Sequence, residues 1–95
     1  MPFHVLVQPP TMVMDPVNQT ILVNSTLLLS CYAVGYGTIA YQWEERHRGV
    51  LEETGSHLVI EDIEGHSVGE YTCLASNEGG ITESQSAFVG VLKPG

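Results

Sequence analysis

The chain has little positive charge. Only 3 Lys and Arg residues stand against 11 Asp and Glu among 95 residues, for a formal net charge of −8 at pH 7, and no basic cluster forms along it. Nucleic acid and anionic membrane both need a basic footprint, to release counterions or to meet headgroups, so neither is expected as a partner of this domain. A neutral or basic protein surface fits better. Long apolar runs are also missing: stretches such as residues 27–29 fall far short of the roughly 20 residues that span a bilayer. No basic start or long apolar stretch follows Met1, and Pro9 and Pro10 would interrupt a secretory leader. The abrupt Met1-Pro2 opening and Lys93-Pro94-Gly95 close lead us to expect an excised piece of a longer protein. That piece would be a single domain over residues 1–95, with a core over 5–92 and a linker stub at 93–95.

Chemistry-bearing patterns are scarce as well. His4, His47, His57 and His66 show no ligand spacing and read as solvated residues. Glu61, Asp62 and Glu64 lack the alternating acid and glycine-turn pattern of a calcium loop. No serine sits in a nucleophile elbow. No enzyme, metal or cofactor is therefore expected.

What the chain does have is apolar surface, with 43% hydrophobic and only 15% charged residues, which favours a folded core over disorder. Turn residues recur every eight to twelve positions or so. The runs between them alternate with period two, which predicts an all-β fold. A first strand is expected over residues 5–7, ended by Pro9 and Pro10 and resumed at 20–23. Over residues 26–33, Leu27, Leu29, Cys31 and Ala33 share one face. Ile39, Tyr41 and Trp43 then point inward, with Ala40, Gln42 and Glu44 opposite. A short strand is expected around Val50 and Leu51, and Leu58 and Ile60 turn inward after Gly55. Residues 69–76 place Tyr71, Cys73 and Ala75 inside with Thr72 and Leu74 outside. Residues 77–80 form a hairpin, and 81–92 return as one last strand with Ala87, Val89 and Val91 inward.

Cys31, Trp43 and Cys73 therefore face inward from three different strands, at a spacing that suits a bridge between two packed sheets. Closing a loop of about 40 residues would stabilise so small a domain by roughly 4 kcal/mol, and Trp43 would plug the space beside the bond. Tyr71, two residues before Cys73, occupies the place of a tyrosine corner.

Gly69-Glu70-Tyr71-Thr72-Cys73-Leu74-Ala75-Ser76-Asn77-Glu78-Gly79-Gly80 follows the pattern G-x-Y-x-C-x-A-x-N-x-x-G. With Cys31 and Trp43, this resembles an immunoglobulin domain of the I-set over most of the chain. The resemblance implies a two-sheet antiparallel sandwich with one inter-sheet disulfide. The short interval from Trp43 to Tyr71 leaves no room for the extra strands of a variable domain. One departure is Ser67, four residues before Tyr71, where the family usually carries an Asp paired with a basic residue, so that ion pair is expected to be missing. A second is Gly35-Tyr36-Gly37 in place of a loop proline. A third is Asn24 in place of a turn glycine.

Asn18-Gln19-Thr20 and Asn24-Ser25-Thr26 both fit the N-glycosylation sequon, while Asn24 also has a structural reading as a turn residue. The outward face of the Trp43, Cys73 and final strands is expected to present Gln42, Glu44, Thr72, Leu74, Ser86 and Phe88. Leu74 and Phe88 there read either as anchors of a protein interface or as ordinary exposed apolar residues. The function implied is non-enzymatic protein recognition or adhesion, by one module of an extracellular or cell-surface glycoprotein or receptor. The alternatives are a passive spacer in a tandem array, next to domains of the same parent chain, and an intracellular cytoskeletal domain with reduced cysteines.

Overall fold

A computed structural model describes residues 6–94 of the chain. Among the described residues ten strands build two layers, antiparallel except where β2 joins β10: β1 (Thr11–Met14), β2 (Gln19–Leu22), β3 (Leu27–Ser30), β4 (Tyr32–Val34), β5 (Ala40–Glu45), β6 (Gly49–Val50), β7 (His57–Ile60), β8 (Gly69–Asn77), β9 (Gly80–Glu83) and β10 (Ala87–Leu92). The larger layer has the order β2-β10-β8-β5-β6, with β9 also on β8. The smaller is made by β1 on β4 and β3 on β7.

Three expectations about strand limits are corrected. The first strand begins at Thr11, after the two prolines rather than before them, because neither ring has an N–H to give a ladder. Val5 lies outside the described residues, and Leu6 and Val7 are not in a strand. The ribbon expected over 26–33 is divided at Cys31, whose N–H leaves the ladder for the Ser56 carbonyl at 2.9 Å; β3 pairs with β7 and β4 with β1. The last strand also breaks in two. At the break, Ser84 donates its N–H to the Cys73 carbonyl at 2.8 Å, and its hydroxyl accepts the Cys73 N–H at 2.9 Å. A side chain thus stands in for a missing ladder partner at a kink.

The second segment, β2, runs parallel to β10 with Thr20 opposite Gly90, and so belongs to the larger layer whereas β1 belongs to the smaller. Pro16 lies at the crossing between them. The inward faces meet around Trp43, Tyr71, Leu27, Leu29, Leu58, Ile63 and Val89, all essentially without solvent exposure. Cys31 and Cys73 are bonded across the layers, with a Cα–Cα distance of 6.4 Å. Trp43 is directly opposite Cys73 in the β5–β8 ladder, and its Nε1–H donates to the Gly55 carbonyl at 2.8 Å, so the one polar atom of the plug is satisfied.

Candidate functional site

Three regions carry the side chains that sequence reasoning singled out or missed. The first is the end of the sandwich where the chain leaves β10. The Tyr71 hydroxyl donates to the Ser67 carbonyl at 2.6 Å, forming the corner that its position predicted. Ser67 is the residue that stands in place of an acid, yet the basic partner is present and compensated. Arg48 donates to the Tyr71 hydroxyl at 2.8 Å and to the carbonyls of Val68 and His66, and lies 3.8 Å from Glu45. The ion pair expected to be missing at position 67 is not formed, and Arg48 instead has the Glu45 carboxylate, at the end of β5, as its acidic neighbour.

Glu45 was missed, though a signal existed. The inward alternation Ile39, Tyr41, Trp43 continues to position 45, which forces a carboxylate into the interior three residues before an arginine. It is 1% exposed, and its two oxygens accept the N–H groups of His47 at 2.9 Å, Arg48 at 3.1 Å and Glu70 at 3.0 Å. Burial pushes its pKa up more than any other single influence. The three N–H donors and the Arg48 charge together outweigh it and hold the pKa below the ordinary 4.5. Gly69 exists to admit this side chain, since a Cβ there would lie 2.5 Å from the Glu45 carboxylate.

The second region is the outer face of the larger layer. Gln42 is exposed opposite Leu74, and Glu44 is half-buried opposite Thr72. Thr72 is not available as expected: it is buried, with its hydroxyl bonded to that of Ser86 at 2.8 Å. Leu74 is half-buried because β9 runs beside it, placing Glu83 at its flank. Phe88 is 59% exposed but lies opposite Glu70, several residues along the sheet from Leu74. The two apolar side chains therefore do not form one patch, and Phe88 stands near the Arg46–Glu70 ion pair at 3.0 Å.

The third region is the outer face of the smaller layer, which sequence reasoning did not single out. Leu28, Tyr32 and Val34 project along β3 and β4 with Ser30 between them. Val59 is opposite Leu28 and Met14 is opposite Tyr32. All five apolar side chains are substantially exposed, and His57 closes the row by bonding Ser30 at 2.7 Å. Apart from His57, no outward position of these strands carries an acidic or basic side chain. The signal was the alternation itself, since Leu28 and Tyr32, on the face opposite Leu27, Leu29 and Cys31, are also apolar.

Both sequon asparagines are exposed. The Asn18 carbonyl oxygen accepts the Phe88 N–H at 2.8 Å, while Asn24 has φ 71°, the left-handed conformation its turn reading requires. His47, His57 and His66 are exposed on separate elements, and His4 lies outside the described residues.

Residues 9–77 match the model of the family described as Immunoglobulin domain. Protein turtle homolog B of Rattus norvegicus is 32% identical over 103 aligned residues that cover 96% of this chain, and the chain spans 8% of that protein's length. Among solved structures, the N-terminal Ig1-2 module of the Drosophila receptor protein tyrosine phosphatase DLAR superposes with a TM-score of 0.80 at 26% identity, over 87% of this chain and 45% of that one. The I-band fragment I67-I69 of titin does so with 0.79 at 25%, over 90% of this chain and 33% of that one.

Proposed function

We take as premise that this chain belongs to the immunoglobulin domain family, and we propose that it is a non-enzymatic recognition module of the I-set type in a larger extracellular or cell-surface protein. The observation that carries this reading is the row Leu28, Tyr32, Val34, Val59 and Met14 on the outer face of the smaller layer. Five apolar side chains exposed along one face cost solubility unless something covers them, and such surfaces mark contact sites. The chain carries a net charge of −8, but none of it stands at the outward positions of this face. The fitting partner is a protein surface with an apolar centre and a neutral or basic surround, which meets the face without an unpaired charge and gains from the acidic remainder of the domain.

An oxidising compartment is favoured by the Cys31–Cys73 bond. The similarity to a receptor phosphatase module supports the same placement, and that to titin supports the intracellular alternative. Phe88 offers a second surface, smaller and set beside the Arg46–Glu70 ion pair.

Screening the domain against a panel of soluble ectodomains tests the proposal. Leu28→Ser and Tyr32→Ser should weaken a binding pair at least tenfold while leaving the fold intact, and Phe88→Ser should change it less than twofold. The reverse pattern would move the contact to the larger layer, and a panel without binders would favour the spacer reading.

A further inference from the structure

The two sequons are sequence-equivalent but structurally unlike, and we propose that Asn24, not Asn18, is the position that carries an N-linked glycan. Asn24-Ser25-Thr26 forms the turn between β2 and β3. Backbone bonds hold that turn: Asn24 N–H donates to the Ile63 carbonyl at 2.8 Å and Ser25 N–H to the Leu22 carbonyl at 3.2 Å. The Asn24 side chain has no hydrogen-bond partner among the described residues, and both Asn24 and Thr26 are exposed. Asn18 and Thr20 are exposed as well, but their local structure differs. Its side chain already serves the fold by capping the Phe88 N–H at 2.8 Å. The remaining sequon residues, Gln19 and Thr20, are the first two of β2, paired with Val89 and Gly90. The Thr20 side chain packs so closely on Gly90 that a Cβ there would lie 3.4 Å from the hydroxyl oxygen.

The chemistry separates the two sites. Transfer requires the asparagine amide and the Thr hydroxyl to adopt a local turn. The amide nitrogen then bonds to the anomeric carbon of a sugar donor activated as a lipid-linked glycosyl pyrophosphate. The bond from that carbon to the pyrophosphate oxygen breaks, the lipid pyrophosphate leaves, and the amide gives up one proton to a base of the transferase. Asn24 already lies in a turn with a free amide. The Asn18 amide is held in place through its oxygen by the Phe88 N–H, so turning its nitrogen toward Thr20 in a local turn means leaving that bond and unpairing the start of a strand.

A glycan on Asn24 would stand at the end of the sandwich where the chain departs, since Val23 N–H bonds the Leu92 carbonyl at 2.9 Å. Leu22 and Leu92 form an exposed apolar pair there, directly opposite each other in the β2–β10 ladder. A sugar at Asn24 is placed to cover them.

The inference rests on the extracellular reading, and its test separates the two. The chain is secreted from eukaryotic cells behind a heterologous leader, and its intact mass is measured before and after peptide N-glycosidase. Thr26→Ala and Thr20→Ala each destroy one sequon while leaving both asparagines in place, and Asn24→Gln is a second variant for the first site. The expected result is one glycan on the wild type and on Thr20→Ala, and none on Thr26→Ala or Asn24→Gln. A secreted, disulfide-bonded wild type without a mass shift, or a glycan that survives both Thr26→Ala and Asn24→Gln, overturns the assignment. Equal occupancy of the two sites overturns the preference. None of these results bears on where the parent protein resides, which localisation of the endogenous protein tests separately.

Discussion

At the end of the sandwich where β8 begins, Glu45, Arg48, Tyr71 and the Ser67 carbonyl meet in a polar network that is buried at Glu45, Tyr71 and Ser67 and reaches solvent through Arg48. At the end where β8 finishes, the chain is held by close backbone contact. There the Asn77 side-chain amide donates to the carbonyls of Gln8 at 3.0 Å and Tyr36 at 3.2 Å, and its oxygen accepts the Gly79 N–H at 2.7 Å. A Cβ on Gly79 would run into the backbone carbonyls of Val7 and Gln8. The same strand therefore ends in two kinds of joint. One is electrostatic and dry, and it depends on the ionisation of one carboxylate. The other is steric and partly wet, and it depends on the absence of a side chain. The family-pattern residues divide accordingly: Gly69 and Tyr71 serve the first joint and Asn77 the second, where Gly79, outside the pattern, leaves room for the backbone.

The comparison breaks most sharply if the dry joint loses its acid. Glu45→Ala strands the N–H groups of His47 and Glu70 around a vacated interior and takes from Arg48 its buried acidic neighbour, and should cost about 3 kcal/mol or more in urea unfolding at pH 7. A cost below about 1 kcal/mol would mean that water reaches the site and the joint is not dry.

Next in size is the response to acid. Glu45 has a folded pKa held below its ordinary value, so its contribution is fully present above the unfolded value of 4.5 and is lost as pH falls through the folded pKa. Stability measured from pH 6 downward should fall through this window in the wild type. Glu45→Gln, already destabilised at neutral pH, should show a shallower fall. Gly79→Ala should show the wild-type slope, because nothing that titrates is touched at its end. Its own cost, read as a lower midpoint at every pH, should be about 1–2 kcal/mol, since the segment at residues 7–10 can move away only by giving up the Asn77 bonds.

Both joints left marks in the sequence, but of different legibility. Cys31, Trp43, Tyr71 and Cys73 could be placed because period-two alternation fixes which face a strand residue takes, and three strands agreed on one interior. The same rule placed Glu45 inside. An isolated buried carboxylate is costly, and the donors that make this one tolerable are not legible in the sequence: two arise only when the β5–β6 turn closes and the third only when β8 pairs with β5. Glycine at position 79 announced a hairpin but not the N-terminal segment packed on it, a contact between residues far apart in the chain. The broken last strand was illegible for a similar reason. Ser84 looks like an ordinary strand residue until its hydroxyl is seen replacing a ladder bond to Cys73. The outer face of the smaller layer could have been read from Leu28, Tyr32 and Val34, whose apolar character is not needed by the core they turn away from.

The smallest expected effect is the one that tests whether the two joints are independent. Asn77→Ala removes three hydrogen bonds from a part-exposed site, where water can take over both carbonyls and the Gly79 N–H, so the cost should be about 1 kcal/mol. The same count of bonds around Glu45 is worth several times more because no water replaces them. Tyr71 and Asn77 are six residues apart on one extended strand, which puts the joints roughly 20 Å from each other. Over that distance two perturbations should add. The double variant Glu45→Ala/Asn77→Ala should lose the sum of the single costs to within about 0.5 kcal/mol in urea unfolding. A larger coupling would show that β8 transmits strain from one end to the other, and that the wet joint and the dry one are parts of a single device.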